Sequence, residues 1–159
     1  MGGAPPPRNG RMRISAKGEY AIKAMLDLAL HYDRGLIPIQ EIAERQGIPQ
    51  RYLEQVLLLL KRAGFLQSKR GSAGGYHLMR PPHDITVGAV LRAMEGSLEQ
   101  GESGRRPGRR SASDHGRDLE ELWGEITAAV SGVVDRVSFA DLCRRVEQRR
   151  SAARPMYHI

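Results

Sequence analysis

Cationic and hydrogen-bonding side chains are concentrated between residues 49 and 72, and their chemistry suits the recognition of a polyanion. Arg51, Lys69 and Arg70 can neutralise phosphates, and Glu54 can accept a hydrogen bond from the amino group of a base. The sequence has no combination of nucleophile, base and carboxylate, no phosphate-binding loop and no metal-ligand spacing. We therefore expect a DNA-binding protein rather than an enzyme, with no catalytic residues and no metal ligands.

Residues 38–80 should form the elements that position these side chains. Gly47 can take the left-handed conformation that ends a helix, and Pro49 suits the start of the next one. Gly64 should end this second helix, and the glycine-rich run at 71–75 should form the tip of a hairpin. The apolar residues of the second helix recur at helical spacing and predict one buried stripe, which consists of Leu53, Val56, Leu57 and Leu60. This order predicts a helix-turn-helix followed by a two-stranded wing.

Further helices should complete this domain on both sides. The pattern at 14–32 predicts a strongly apolar helix with Ser15 as its N-cap, and Lys17 on this helix could reach a phosphate or simply be solvated. After the wing, Thr86 should cap a short helix over 87–95 that Gly96 terminates. We predict a DNA-binding domain over residues 12–98, preceded by a disordered Gly/Pro-rich extension at 1–11.

Length, charge and composition agree with these expectations. The 159 residues suffice for one domain with an appendage, and 25 lysines and arginines against 18 acidic residues give a net charge of +7. Such a balance favours an acidic partner such as double-stranded DNA. The sequence has no apolar run long enough to cross a membrane and no secretory signal, so we expect a cytoplasmic protein.

The composition changes abruptly after this domain. Residues 99–117 are rich in Gly, Ser and Arg and predict a flexible loop. Its four arginines at 105, 106, 109 and 110 could touch the DNA backbone, but a charge run of this kind is more often solvated. Region 118–147 predicts a long amphipathic helix and a shorter one, before a tail at 148–159. The apolar face of the long helix consists of Leu119, Leu122, Trp123, Ile126, Val130, Val133 and Val134.

This apolar face is expected to pair with the same face of a second copy, which would make the protein a homodimer. The alternative is that the helix folds back on its own domain. The expected fold class is therefore mainly α: a winged helix-turn-helix domain with a two-stranded wing plus a long C-terminal dimerisation helix.

Three ordered motifs resemble the Rrf-two family of winged-helix transcriptional regulators. They are MRISAKGEYAIKAMLDLAL, YLEQVL and RGSAGGYHLMRPPHDITVGAVLRAMEG, and the resemblance covers residues 12–98. The stretch from LWGEI to FADL resembles the family's dimerisation region. The resemblance implies a sequence-specific homodimeric regulator of transcription, and we expect a repressor. It also implies that Met12 corresponds to the usual start.

The resemblance implies that residues 49–55 enter the major groove of DNA while the wing places Arg70 in the minor groove. Glu54 matches the family's recognition-helix glutamate, which can bind cytosine N4, although it could instead pair with Arg51 or Lys61. Tyr52 should be partly in the core. The full set of expected DNA contacts is Lys17, Pro49, Gln50, Arg51, Tyr52, Glu54, Gln55, Lys61, Lys69, Arg70, Gly71 and Ser72.

Cluster-binding members of this family place three cysteines in the loop before the long helix, because thiolates hold the iron. No cysteine occurs in that loop here. The only cysteine, Cys143, lies in an apolar helical pattern that favours a buried, inert thiol. We therefore expect no cofactor and no iron–sulfur cluster, with a redox sensor whose cluster is shared between chains as the alternative.

The last residues resemble the end of the family's cysteine-metabolism repressors, which carry no cluster. Serine acetyltransferases also end in isoleucine, and their last residues enter the active site of cysteine synthase. The resemblance therefore implies cysteine synthase (O-acetylserine sulfhydrylase) as a partner, bound through Met156, Tyr157, His158 and Ile159. A regulator that acts chiefly through this protein contact is an alternative function, and a merely disordered terminus is the alternative for the tail.

Overall fold

A computed structural model describes residues 15–103 and 114–153 of the chain, with side chains placed within 15–95 and 117–153. The α-helices of these residues are α1 (Ala16–Leu30), α2 (Ile39–Gln46), α3 (Gln50–Arg62), α4 (Val87–Ser103), α5 (Asp114–Val134) and α6 (Phe139–Ala153). The strands are β1 (Leu66–Lys69) and β2 (Gly75–Leu78), and short 3-10 helices lie at Tyr32–Arg34 and Pro82–Asp84. The mainly α fold class with a two-stranded wing is confirmed.

The core lies where α1 crosses the helix-turn-helix pair α2 and α3. The predicted stripe of α3 is confirmed, because each of its four members is buried. Burying one such side chain stabilises the fold by about 1.5–3 kcal/mol relative to leaving it exposed, so the stripe fixes the rotation of α3 about its axis. The α1 residues that cover it are Ala21, Ala24, Met25 and Leu28.

Two predicted N-caps and the predicted turn at Gly47 are also confirmed. The Ser15 side-chain oxygen accepts a hydrogen bond from Gly18 N at 3.0 Å, and the Thr86 Oγ1 accepts one from Ala89 N at 3.1 Å. Gly47 ends α2 in the left-handed conformation, with φ 64° and ψ 37°. Because α3 begins only three residues later, the glycine sets a tight turn between the two helices.

The wing is an antiparallel hairpin in which Leu66 pairs with Leu78 and Lys69 pairs with Gly75. An additional bridge between Ile37 and Tyr76 ties the hairpin to the segment before α2. Gly75 makes this approach possible, because a Cβ at that position would overlap the backbone of Ile37. The base of the wing is therefore fixed to the helix-turn-helix.

Helix α4 is longer than predicted. It runs to Ser103 rather than ending at Gly96, and α5 already begins at Asp114, so helix covers both ends of the predicted loop at 99–117. A glycine inside a helix costs only about 1 kcal/mol, which a helix anchored in the core through Val90 and Met94 can absorb. The middle of that loop and the predicted extension at 1–11 lie outside the described residues.

The core of the DNA-binding domain also extends beyond the range 12–98. Phe139, the first residue of α6, is fully buried in it. Its N–H donates to the Ile85 carbonyl at 3.0 Å, and the Val87 N–H donates to the Val137 carbonyl at 2.8 Å. Helix α6 is therefore part of this domain, whose predicted boundary at residue 98 lies about forty residues earlier.

Candidate nucleic-acid interface

The outer face of α3 consists mostly of polar and charged side chains. Because the stripe of α3 points inward, the residues between its members must point outward. The exposed set comprises Gln50, Arg51, Tyr52, Glu54, Gln55, Leu58, Lys61 and Arg62. Pro49, which precedes the helix, is exposed as well. All of the predicted contacts on α3 thus lie on the protein surface.

The charged side chains of this face are not paired with one another. Within the described part of the chain, Arg51, Glu54 and Lys61 form no ion pair, so the predicted alternative of Glu54 pairing with Arg51 or Lys61 is not found. Pairs do form elsewhere, for example between Arg34 and Glu41 at 2.9 Å. The face is thus free to exchange its water for hydrogen bonds with another molecule.

Tyr52 lies on the surface rather than partly in the core, as its side chain is 58% exposed. The prediction was wrong because Tyr52 precedes the inward-facing Leu53 by one residue, and one residue rotates the side chain by about 100°. Its ring instead contacts the ring of Tyr20 on α1, with a centroid distance of 6.3 Å and an interplanar angle of 48°. This contact braces the first turn of α3 from outside.

The wing forms one wall of a groove of about 510 Å³, whose other walls are α3 and the start of α2. Its charged lining is entirely cationic and consists of Lys61, Lys69 and Arg70. The tip itself contains the exposed Gly71 and Ser72, and Gly71 has φ 112°, which other residues rarely adopt. A groove of this kind suits an elongated anion.

Lys17 stands apart from this cluster. It is partly buried on α1 and already takes part in an interaction within the chain. On the same helix, Lys23 Nζ lies 3.8 Å from Glu19 Oε1. A contact between Lys17 and DNA stays a prediction, and it would require exchanging an existing partner.

An ion pair with a buried carboxylate, which was not predicted from the sequence, positions α2 against α1. Asp27 is only 1% exposed, and its carboxylate accepts hydrogen bonds from Arg45 Nε and Nη2, both at 2.9 Å, and from Gln46 Nε2 at 3.1 Å. Arg45 also donates to Glu41, which in turn accepts two hydrogen bonds from Arg34. An acidic residue inside the apolar run MLDLAL was the available signal, because a buried carboxylate requires partners.

The same network shifts two pKa values. Hydrogen bonds from Arg34 and then Arg45 lower the pKa of Glu41 from 4.5 to about 2. The hydrogen bond to Asp27 raises the pKa of Arg45 above its ordinary value. Ion pairs of Arg34 and Arg45 therefore hold α2 against the preceding segment and α1.

The predicted dimerisation face exposes several large apolar side chains. Trp123 is 60% exposed and Val133 is 57% exposed, and Leu119 and Leu122 are exposed as well. Ile126, Val130 and Val134 are partly buried. Asp135, the residue that follows α5, forms an ion pair with Arg92 of α4. The predicted tail residues 156–159 lie outside the described residues.

The arrangement of α2, α3 and the wing defines a winged helix-turn-helix, the fold of many DNA-binding regulators of transcription. The chain belongs to the Rrf2 family, described as "Iron-dependent Transcriptional regulator", whose pattern it matches over residues 14–145. This confirms the resemblance seen in the sequence. The chain is accordingly a DNA-binding transcriptional regulator and not an enzyme.

Individual relatives agree with this assignment. The chain is 38% identical over 135 residues to the HTH-type transcriptional regulator IscR of Serratia proteamaculans, covering 82% of this chain and 79% of the relative. It superposes on T. potens IscR with a TM-score of 0.71 at 34% identity, covering 92% of this chain and 94% of that one. For CymR, the global cysteine regulator of B. subtilis, the TM-score is 0.66 at 31% identity, with 85% and 98% covered.

The family description implies iron, but the donor groups of this chain fit it poorly. The sequence contains a single cysteine, Cys143, which lies on α6 and is half-buried. Burial raises the pKa of the Cys143 thiol, and Glu147 adds to the shift, so its neutral form is favoured over the thiolate that binds metal. Among the described residues, no three His, Cys, Asp or Glu side chains are grouped as metal ligands.

In residues 15–103 and 114–153, no helix combines the length and the apolar character that crossing a bilayer requires.

Proposed function

We propose that this protein is a homodimeric, sequence-specific repressor in which α3 enters the major groove of DNA and the wing enters the adjacent minor groove. The observation that carries the proposal is the unpaired face of α3 beside the cationic groove. Arg51, Glu54 and Gln55 offer donors and acceptors to base edges, which is the chemistry by which a helix reads sequence.

The groove between α3 and the wing suits the sugar-phosphate backbone. A backbone strand separates the major groove from the minor groove, so it must pass between a helix in one and a wing in the other. Lys61 and Lys69 line this passage and can each neutralise a phosphate. Arg70 lies at the narrow wing tip, and a guanidinium there can enter the negative potential of a narrow minor groove.

A second copy of the chain is the best occupant for the exposed face of α5. Large apolar side chains such as Trp123 and Val133 form a stripe along one side of a helix whose other side is polar. The same stripe on a second chain would cover it around a two-fold axis, and that axis would present two α3 helices to a palindromic operator.

Competition binding tests the DNA-binding proposal. Fluorescence anisotropy with the DNA upstream of the protein's own gene should show specific binding whose affinity falls as a power of salt concentration. Arg70→Ala should weaken binding by about 1–3 kcal/mol, while Arg117→Ala, which removes the same charge from exposed α5, should leave it nearly unchanged. Equal affinity for every sequence at physiological salt would refute the proposal.

A second candidate function links this regulator to sulfur metabolism. It is favoured by the structural similarity to the protein described as the global cysteine regulator of B. subtilis. On this proposal Met156, Tyr157, His158 and Ile159 bind cysteine synthase, whose occupancy reports sulfur status. Calorimetry with cysteine synthase should detect binding by the full chain and none after deletion of these four residues. Binding that survives the deletion would show that the tail is not the binding site for cysteine synthase.

The redox alternative has its own test. A cluster shared between two chains would give anaerobically purified protein visible absorption and bound iron. We expect colourless protein, because one half-buried cysteine per chain supplies too few thiolates. Stoichiometric iron would overturn this expectation.

A further inference from the structure

The rotation of α3 brings two complementary side chains to the same part of its outer face. Arg51 is the second residue of the helix, and Glu54 lies three residues later. Both side chains are exposed, whereas Leu53 between them in the sequence points into the core. Residues at this spacing are neighbours on a helix surface, with Cβ atoms about 5–6 Å apart. Their spacing would permit an ion pair, yet in the described structure neither has one.

The backbone under these two side chains is held firmly. Pro49 precedes the helix with φ −58°, and its carbonyl accepts a hydrogen bond from Leu53 N at 3.0 Å. The contact between Tyr52 and Tyr20 ties the same turn to α1. Arg51 and Glu54 therefore project from a fixed origin, which direct reading of base edges requires.

The hydrogen-bonding groups of the two side chains differ in kind. A guanidinium has five donors and no acceptor, whereas a carboxylate has acceptors only. In the major groove guanine presents two acceptors, N7 and O6, and cytosine presents the N4 amino donor. A rise of about 1.5 Å per residue separates the two positions by about 4.5 Å along the helix, which is comparable to one base-pair step of about 3.4 Å.

We propose that Arg51 is a specificity-determining residue that reads a guanine through N7 and O6, next to a cytosine read by Glu54. The inference rests on the proposed function and adds a base preference to it. An operator half-site should thus contain a G·C pair contacted by Arg51, beside the pair contacted by Glu54. A small polar residue at position 51 could not make this two-point contact.

A phosphate contact is the alternative role for Arg51, and alanine and lysine variants distinguish the two roles. Lysine keeps the positive charge but lacks the rigid planar fork of the guanidinium, so it should select guanine less strictly. Selection of bound sequences from a randomised DNA library by wild-type protein, Arg51→Ala and Arg51→Lys tests this directly. Lys61→Ala is the matched control, since Lys61 lines the groove proposed for the backbone. Melting temperatures should be unchanged, because Arg51 is exposed and forms no ion pair among the described residues.

We expect wild-type protein to select one guanine in each half-site. In Arg51→Ala, discrimination at that position should fall about 10- to 100-fold with the other positions retained, and Arg51→Lys should lose less of it. Lys61→Ala should weaken all sequences alike and lower the salt dependence by about one counterion. If Arg51→Ala weakens all sequences equally, or keeps the full base preference at every position, the guanine contact is refuted. Absence of any preference in wild-type protein would instead refute the proposed function.

Discussion

The carboxylate of Asp27 on α1 and the guanidinium of Arg45 on α2 form a two-point contact, with both hydrogen bonds at 2.9 Å. Asp27 is buried, so this pair joins the helix-turn-helix to the rest of the domain from below its DNA-facing surface. The position of the helix-turn-helix thus depends on a contact that does not itself face DNA.

Removing Arg45 should therefore destabilise the fold strongly. Arg45→Ala leaves a buried carboxylate without its main partner and should lower the free energy of unfolding by about 3–5 kcal/mol. Arg34→Ala is the matched control, because Arg34 also donates to Glu41 but does not contact Asp27. Because that pair is exposed to solvent, its loss should destabilise the fold far less than the loss of Arg45. Urea denaturation measures both, and equal losses would contradict the role assigned to Asp27.

The Glu41 pair predicts a pH dependence of stability. The folded-state pKa of Glu41, about 2, lies below its ordinary value of 4.5, so the pair stabilises the protein fully above pH 4.5. This contribution is lost as the pH falls from about 4.5 to about 2. Urea unfolding at several pH values should show a smaller loss for Glu41→Gln than for wild-type protein across this window. If the stability of both proteins fell equally with pH, the pKa of Glu41 would be the same in the folded and unfolded states, contrary to this prediction.

The base of the wing should not tolerate a side chain at Gly75. Gly75→Ala places a Cβ against the carbonyl of Ile37 and should cost about 1–3 kcal/mol of unfolding free energy while weakening operator binding. Gly124→Ala makes the same chemical change on α5 where no atom is near, and should stabilise the helix by about 0.5–1 kcal/mol. Thermal unfolding and anisotropy test both variants. A harmless Gly75→Ala would mean that the hairpin can separate from Ile37.

The proposed dimer should depend on the apolar face of α5. Trp123→Glu puts a charge in the centre of the interface and should convert the dimer to a monomer at micromolar concentrations, because an unpaired charge is costly to bury. Ala128→Glu introduces the same charge on the opposite side of α5 and should leave the dimer intact. Sedimentation velocity measures the mass of both variants. Wild-type protein that is monomeric, or a dimeric Trp123→Glu variant, would contradict this interface.

Features encoded by neighbouring residues could be predicted from the sequence. The cap at Ser15, the turn at Gly47 and the stripe through Leu53 each depend on residues within one or two helical turns. These local signals sufficed to place the exposed face of α3 and the tip of the wing.

Features that depend on distant contacts were not predicted. Asp27 and Arg45 lie on different helices, and no local pattern pairs one with the other. Phe139 joins a core whose other members precede it by more than forty residues, so its helix was assigned to a separate region. Gly96 did not end α4, because packing of the preceding turns outweighs the small helix penalty of one glycine.

The central claim is that one protein surface reads two grooves at once, and methylation protection by dimethyl sulfate tests it most directly. This reagent modifies guanine N7 in the major groove and adenine N3 in the minor groove of the same DNA. We predict protection at guanines in two symmetric half-sites and at flanking adenines, with Arg70→Ala losing only the adenine protection. Protection confined to one groove, or unchanged adenine protection in Arg70→Ala, would contradict the account.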